Sequence, residues 1–331
     1  MTEEILAKKI LTAYEKNLFY LPLIKLGHFF VRAYHVTGDK KYINLIAYYV
    51  KINRVAEIKL ALEKLKTKSF KTNNPISISA TVSERIKQRQ LLYEKNPEIN
   101  FFNTLFINLL FCKSFDLNKT VLKNEFKQIL SILQTIDFKK IYLKEEVLRF
   151  DNSFSFNSIS VLNYLGICDL RLTAVEIYKN YYLTNKLTLK KELSDSEFCS
   201  LIYGLTHIII ANSNFYEKFS KSKKNLWILR FFANNSDLII QKVTVDILAE
   251  VALCFKLCRK EKSFHLEFKK IKKALKKEIH LNQLSNTEYL IRKEHTHSIL
   301  MLLYWNFDKL FPGPNLSDHP VFKSTFLKNN H

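Results

Sequence analysis

Glycine and proline are scarce, with five and six residues respectively in a chain of 331. Positions with positive φ favour glycine and tight turns favour proline, so this scarcity argues against an all-β sandwich and against an α/β fold with glycine-rich loops. No apolar stretch approaches 18 residues without a charge, and a transmembrane span is therefore not expected. The opening MTEEILAKKI begins with acids and alternates charged with apolar residues, which lacks the basic start and apolar core of a secretory signal. Also missing are a phosphate-binding glycine loop, a nucleophile elbow and a metalloprotease helix motif, so nucleotide-dependent chemistry of the common kinds is not expected. The five cysteines, at 112, 168, 199, 254 and 258, are odd in number and lie mostly in apolar runs such as ALCFKLC. They read as reduced core residues of a cytoplasmic protein.

What the sequence does have is apolar residues at helical spacing, almost from end to end. Ile5, Ile10, Leu11 and Tyr14 begin the pattern, and Leu23, Leu26, Phe29, Phe30 and Ala33 continue it. The expected class is all-α, in one domain over 1–331. Punctuation marks the helix ends. Thr37-Gly38-Asp39 separates a helix at about 21–36 from one at about 39–65, with Gly38 just past the first helix and Asp39 as N-cap of the second. Asn73-Asn74-Pro75 marks the next break. Ser194 and Glu197 have capping-box spacing before a helix that runs through 212, and Asn234-Asn235-Ser236 closes another. The pattern weakens between about 140 and 157, in KEEVLRFDNSFSFNS, where a loop is expected. Three of the six prolines fall in FPGPNLSDHPVFKSTFLKNNH, so residues 309–331 read as an irregular tail.

The net charge is +21, from 52 Lys and Arg against 31 Asp and Glu. Such a balance is compatible with a polyanionic partner, nucleic acid or an anionic surface, but does not favour one. The charge falls in short runs, Lys223-Lys224, Lys269-Lys270, Lys272-Lys273 and Lys276-Lys277, spaced as the wet face of a helix. The lysine excess also fits an AT-rich genome. Aromatic doublets such as Phe29-Phe30 and Phe101-Phe102 read as core.

Polar residues inside apolar helices recur at Asn163, His207, Glu250 and His297, with separations of 44, 43 and 47 residues. A pair of antiparallel helices with two short turns occupies about that length. If each hairpin has an inner and an outer helix, these residues occupy equivalent inner positions and line one central cavity, with Tyr203, Thr206 and His295 beside them. About five to seven hairpins closed in a ring form an α/α toroid; an open α-solenoid is the alternative. The expected ligand is a small molecule or peptide in the cavity.

Asp246 and Glu250 share a helix face with Cys254, and a carboxylate buried among Leu248, Ala249, Val251 and Leu253 requires a partner. Asp246 and Glu250 are the catalytic candidates, though Asp246 is also placed to meet the positive end of its helix. His207, Glu250 and His297 form a two-histidine, one-carboxylate set suited to Zn²⁺ or Fe²⁺. A metal-free pocket and a hydrogen-bonded network that pins helices in register are the competing readings of the same residues. His295 and His297, two apart, point in different directions on a helix. His28 and His35 are seven apart and can share a face. Cys254 and Cys258 suit two thiolates on one face, with no second pair.

The segments YGLTHIIIANSNFY (203–216), VDILAEVALCFKLC (245–258), EHTHSILMLLYW (294–305) and LFPGPNL (310–316) resemble the bacterial domain of unknown function 3541. More distantly they are similar to α/α-toroid proteins related to lanthionine cyclases, and HFFVRAYHVTGDKKY (28–42) looks like the opening hairpin of such toroids. The resemblance covers essentially the whole chain and is weakest at 60–140. It implies a fold and a place to look, since the family has no assigned activity. Lanthionine cyclases hold zinc with two cysteines and one histidine; Cys254 and Cys258 match no such motif, so cyclase activity is not carried over. Two functions remain: a metal-assisted hydrolase or cyclase-like enzyme, and a non-enzymatic scaffold whose basic surface binds a protein or polyanion.

Overall fold

Thr2 opens the chain's first helix by accepting a hydrogen bond from Ile5 N at 3.4 Å, with Glu3 and Glu4 following in the first turn. The computed structural model describes residues 2–70, 84–182 and 193–323. The expected break at Asn73-Asn74-Pro75 lies outside these residues. In chain order the α-helices are α1 Glu3–Lys16, α2 Leu23–Thr37, α3 Ile43–Val50, α4 Ala56–Thr67, α5 Glu84–Lys95, α6 Pro97–Ser114, α7 Lys123–Leu133, α8 Phe138–Tyr142 and α9 Glu145–Phe150. They continue as α10 Asn152–Leu165, α11 Arg171–Lys179, α12 Asp195–Asn212, α13 Ser222–Asn234, α14 Ser236–Lys242, α15 Val245–Leu257, α16 His265–Lys277, α17 Thr287–Tyr304 and α18 Pro320–Lys323. All regular structure among the described residues is helical.

The chain expected as one domain divides into two compact units. The terminal unit comprises Met1–Asn53 and Asn212–His331, and the middle unit Arg54–Ala211. The division falls within a π-helical turn, Lys51–Val55, so the helix expected over 39–65 is in fact a 3₁₀ turn, α3, this π turn and α4.

In the terminal unit α17 packs against α1, α2 and α15. Tyr14 of α1 stacks on Phe29 of α2 at 3.8 Å, and Phe29 and Phe30 are wholly buried. Each such side chain contributes roughly 1.5–3 kcal/mol. Gly38, at φ 64°, ends α2 with its N–H on Tyr34 O, and Asp39 accepts from Lys41 N at 3.0 Å, as the sequence indicates. Lys256 of α15 closes α17: its Nζ donates to the carbonyls of Leu302 at 3.2 Å, Leu303 at 2.8 Å and Trp305. A cation there meets the helix's unpaired C-terminal acceptors. Residues 309–319 carry no helix, and α18 follows.

In the middle unit α6 and α10 pack face to face, with α5 and α9 against them. Ser194 and Glu197 form the expected capping box at the start of α12: Glu197 N donates to Ser194 Oγ at 3.3 Å and Ser194 N to Glu197 Oε2 at 3.2 Å. Gly204 of α12 is needed for close approach, since a Cβ there would stand 2.2 Å from Tyr178 Oη. The loop expected at 140–157 is largely helical, as α9 and most of the first two turns of α10 occupy it. Its hydrophobic pattern is weak because Asp151, Asn152, Ser153, Ser155 and Ser158 are themselves buried.

Candidate functional site

Glu250, wholly buried on α15, finds its partner in His295. His295 Nε2 lies 3.2 Å from Glu250 Oε1 and 3.5 Å from Asp246 Oδ2. Asp246, in the first turn of α15, is fixed by a hydrogen bond from Thr296 Oγ1 at 2.8 Å. The imidazole therefore donates from Nε2, and in its neutral form the lone pair is on Nδ1. The His295 side chain is 31% exposed, which leaves it open to a reactant while the carboxylate behind it is not.

The His295 ring stacks on that of His28 from α2, with centroids 5.7 Å apart and planes at 27°. His28 Nδ1 lies 2.7 Å from Glu294 Oε1. Burial works to raise the Glu294 carboxyl, but the hydrogen bond from His28 and the charges of His28, Arg32 and His295 outweigh it and hold the pKa below its usual value. With this carboxylate ionised, His28 Nδ1–H donates to it. Arg32 Nη1, 2.9 Å from the same nitrogen, directs its hydrogen to Ser298 Oγ at 2.7 Å. Burial, then the Arg32 charge, bring His28 down to about 4, so it is neutral at pH 7. Two carboxylate–imidazole pairs thus stand ring to ring.

His297 faces elsewhere, as its two-residue offset from His295 requires. Its Nδ1 is 3.0 Å from Tyr14 Oη, which in turn is 2.8 Å from Leu290 O. A carbonyl only accepts, so Tyr14 donates to Leu290 and His297 donates to Tyr14. Burial lowers His297 to about 4. His35 is buried, and burial with the Arg32 charge lowers it to about 3.

The other expected residues belong to the middle unit. His207 Nδ1 meets Asn157 Oδ1 at 3.0 Å, the Tyr203 ring lies edge-on to His207 at 4.6 Å, and Thr206 Oγ1 donates to Tyr203 O. Asn163, half-buried, accepts Gly166 N at the end of α10. The proposed metal triad is thus distributed, with Glu250 and His297 in the terminal unit and His207 in the middle one. Among the described residues no group of three or more His, Cys, Asp or Glu is placed to hold a metal ion. Cys254 and Cys258 are thiols rather than thiolates, since burial pushes both up, Cys258 to about 11.

Sequence reasoning missed Asp151. Wholly buried, it accepts from Tyr93 Oη at 2.6 Å, Asn103 Nδ2 at 2.6 Å and Ser155 Oγ at 3.2 Å. Burial raises it to about 6, more than these hydrogen bonds recover. Its signal was the polar run DNSFSFNS, whose periodicity is polar rather than apolar.

No helix among the described residues is long and apolar enough to cross a membrane. No curated protein matches the chain, and no solved structure does. The family model for a domain of unknown function, DUF3541, matches residues 3–329, nearly the whole chain, and the protein belongs to that family.

Proposed function

We propose that the terminal unit carries a general acid–base site and that the protein is an enzyme acting on a small polar molecule or peptide. The observation that carries this is the geometry of His295, a third exposed, with Nε2 against buried Glu250 and with Asp246 beside it. A carboxylate on one nitrogen fixes the tautomer and leaves the lone pair of the other nitrogen to take a proton. His295 is the base, Glu250 its orienting partner, and Asp246 holds the ring's second side. His28, neutral and paired with Glu294, is the second proton carrier. Hydrolysis, in which His295 activates water, is the reaction class this set suits. The scaffold is taken to be an α/α toroid, as the resemblance implies; an open solenoid would serve the chemistry equally.

Turnover on a panel of esters, amides, phosphoesters and glycosides tests the proposal. His295→Asn is expected to lower kcat at least about 100-fold with an unchanged circular dichroism spectrum. A rate that survives this substitution, or no turnover on any class, contradicts it.

The scaffold reading draws on the exposed lysines of α16, Lys269, Lys270, Lys273, Lys276 and Lys277. Several of this helix's lysines are tied to acids: Lys270 to Asp237, and Lys272 and Lys276 to Glu3 at 2.9 and 3.3 Å. Mixed charge of this kind favours a solvated face over a polyanion track, and nucleic-acid binding that falls steeply with salt would reverse that preference.

A further inference from the structure

The middle unit contains a cavity of about 510 Å³ between α5, α6 and α10. That volume is in the range of small-molecule sites. Of the described residues that line it none is acidic, and two, Arg54 and Arg89, are cationic. Arg89 lies over the Phe154 ring at 5.0 Å; its charge acts on the buried Asp151 carboxylate behind the wall, with no direct ion pair to a carboxylate among the described residues. Arg54 is held by Asn108 Oδ1 at 2.8 Å and by the Phe111 ring at 4.8 Å.

The hydrogen bonds behind the wall decide which groups remain for a ligand. Tyr93 gives its only hydrogen to Asp151, and Ser158 gives its hydrogen to Asn103 Oδ1 at 2.6 Å. Asn103 spends Nδ2 on Asp151 and receives Tyr142 as well. These polar walls are consumed internally. Asn157 is different, because its Oδ1 is engaged by His207 and its Nδ2 hydrogens remain. The cavity therefore offers the donors of Asn157 and Arg89, the nearby charge of Arg54, and the Gln90 amide, whose Oε1 is buried without a donor, beside an apolar surface that includes Ile86, Phe106, Ile107 and Val161.

We propose that this cavity binds a small organic anion, a carboxylate or phosphate head held by Arg89 and Asn157 with the positive charge of Arg54 beside them, and an aromatic or aliphatic body on the apolar wall. Arginine and amide donors recognise both head groups. Phe154 keeps the Arg89 guanidinium in place, and His207 keeps Asn157 turned with its donors free. The site is independent of the acid–base reading.

The full-length chain is titrated with benzoate, phenyl phosphate, the neutral isostere benzamide and inorganic phosphate, followed by thermal shift and by amide chemical-shift mapping. Benzoate or phenyl phosphate is expected to bind saturably and shift amides of α5, α6 and α10; the tighter of the two assigns the head group. Benzamide is expected to bind at least ten-fold more weakly than benzoate, and inorganic phosphate more weakly than phenyl phosphate. Arg89→Gln, at a half-buried position, should cost at least ten-fold in affinity with an unchanged circular dichroism spectrum, and Arg89→Lys less. His295→Asn should leave binding unaltered. The proposal is overturned if benzamide binds as well as benzoate, if Arg89→Gln binds like wild type, or if none of the probes binds saturably.

Discussion

The two units solve the problem of buried polarity in opposite ways. In the terminal unit, charged and titratable groups are set against each other: Glu250 with His295, Glu294 with His28 and Arg32. In the middle unit one carboxylate, Asp151, is hydrogen-bonded only by neutral donors, from Tyr93, Asn103 and Ser155, with the Arg89 charge acting on it without direct contact. The difference fixes the direction of each unit's response to acid. The terminal unit's buried histidines are neutral in the fold, His35 down to about 3 and His297 to about 4, against roughly 6.5 unfolded. Their contribution is fully present above pH 6.5 and is lost as pH falls toward those values. Asp151, raised to about 6, contributes stability that is fully present below its unfolded value and lost as pH rises through 6.

The largest expected effect follows from this contrast. Between pH 7 and pH 4 each of the two histidines should cost the terminal unit on the order of 3 kcal/mol, while Asp151 should give the middle unit about 2 kcal/mol. Amide hydrogen exchange at the two pH values, read unit by unit, measures both. Loss of protection in α1, α2 and α17 with gain in α6 and α10 is expected, and Asp151→Asn should abolish the gain. Parallel changes in the two units would erase the comparison.

Glu250→Gln sharpens it from the other side. Removing the negative charge that faces His295 from a wholly buried position should cost about 3 kcal/mol in chemical denaturation. A variant that unfolds like wild type would make the terminal unit's centre a neutral network, like that of the middle unit. Tyr14→Phe, a smaller change, deprives His297 of its acceptor and should cost about 1–2 kcal/mol. Ser194→Ala removes one side of the capping box and should cost about 1 kcal/mol, confined to α12.

What was legible in the sequence was local. Gly38 and Asp39, and Ser194 with Glu197, mark helix ends through bonds that span two to four residues, so spacing alone exposes them. Glu250 announced a partner by being a carboxylate among aliphatic residues, and the two-residue offset of His295 and His297 foretold their divergence. The identity of the partners was not legible. His28 and Glu294 are 266 residues apart, and nothing in either neighbourhood names the other. The recurrence of Asn163, His207, Glu250 and His297 says nothing of unit boundaries, and the first two belong to the middle unit and the last two to the terminal one. Asp151 escaped because hydrophobic periodicity registers apolar faces, and the buried face of DNSFSFNS is polar.

The central claim is that His295 is a base oriented by Glu250, with His28 held neutral beside it. Long-range ¹H–¹⁵N spectra of the imidazoles, recorded from pH 8 to pH 3, test it directly. The account predicts His295 as the Nε2–H tautomer, a change in its signals on Glu250→Gln, and His28 as the Nδ1–H tautomer titrating near 4. His295 protonated on Nδ1 when neutral, or His28 titrating near the ordinary histidine value of about 6.5, would contradict it.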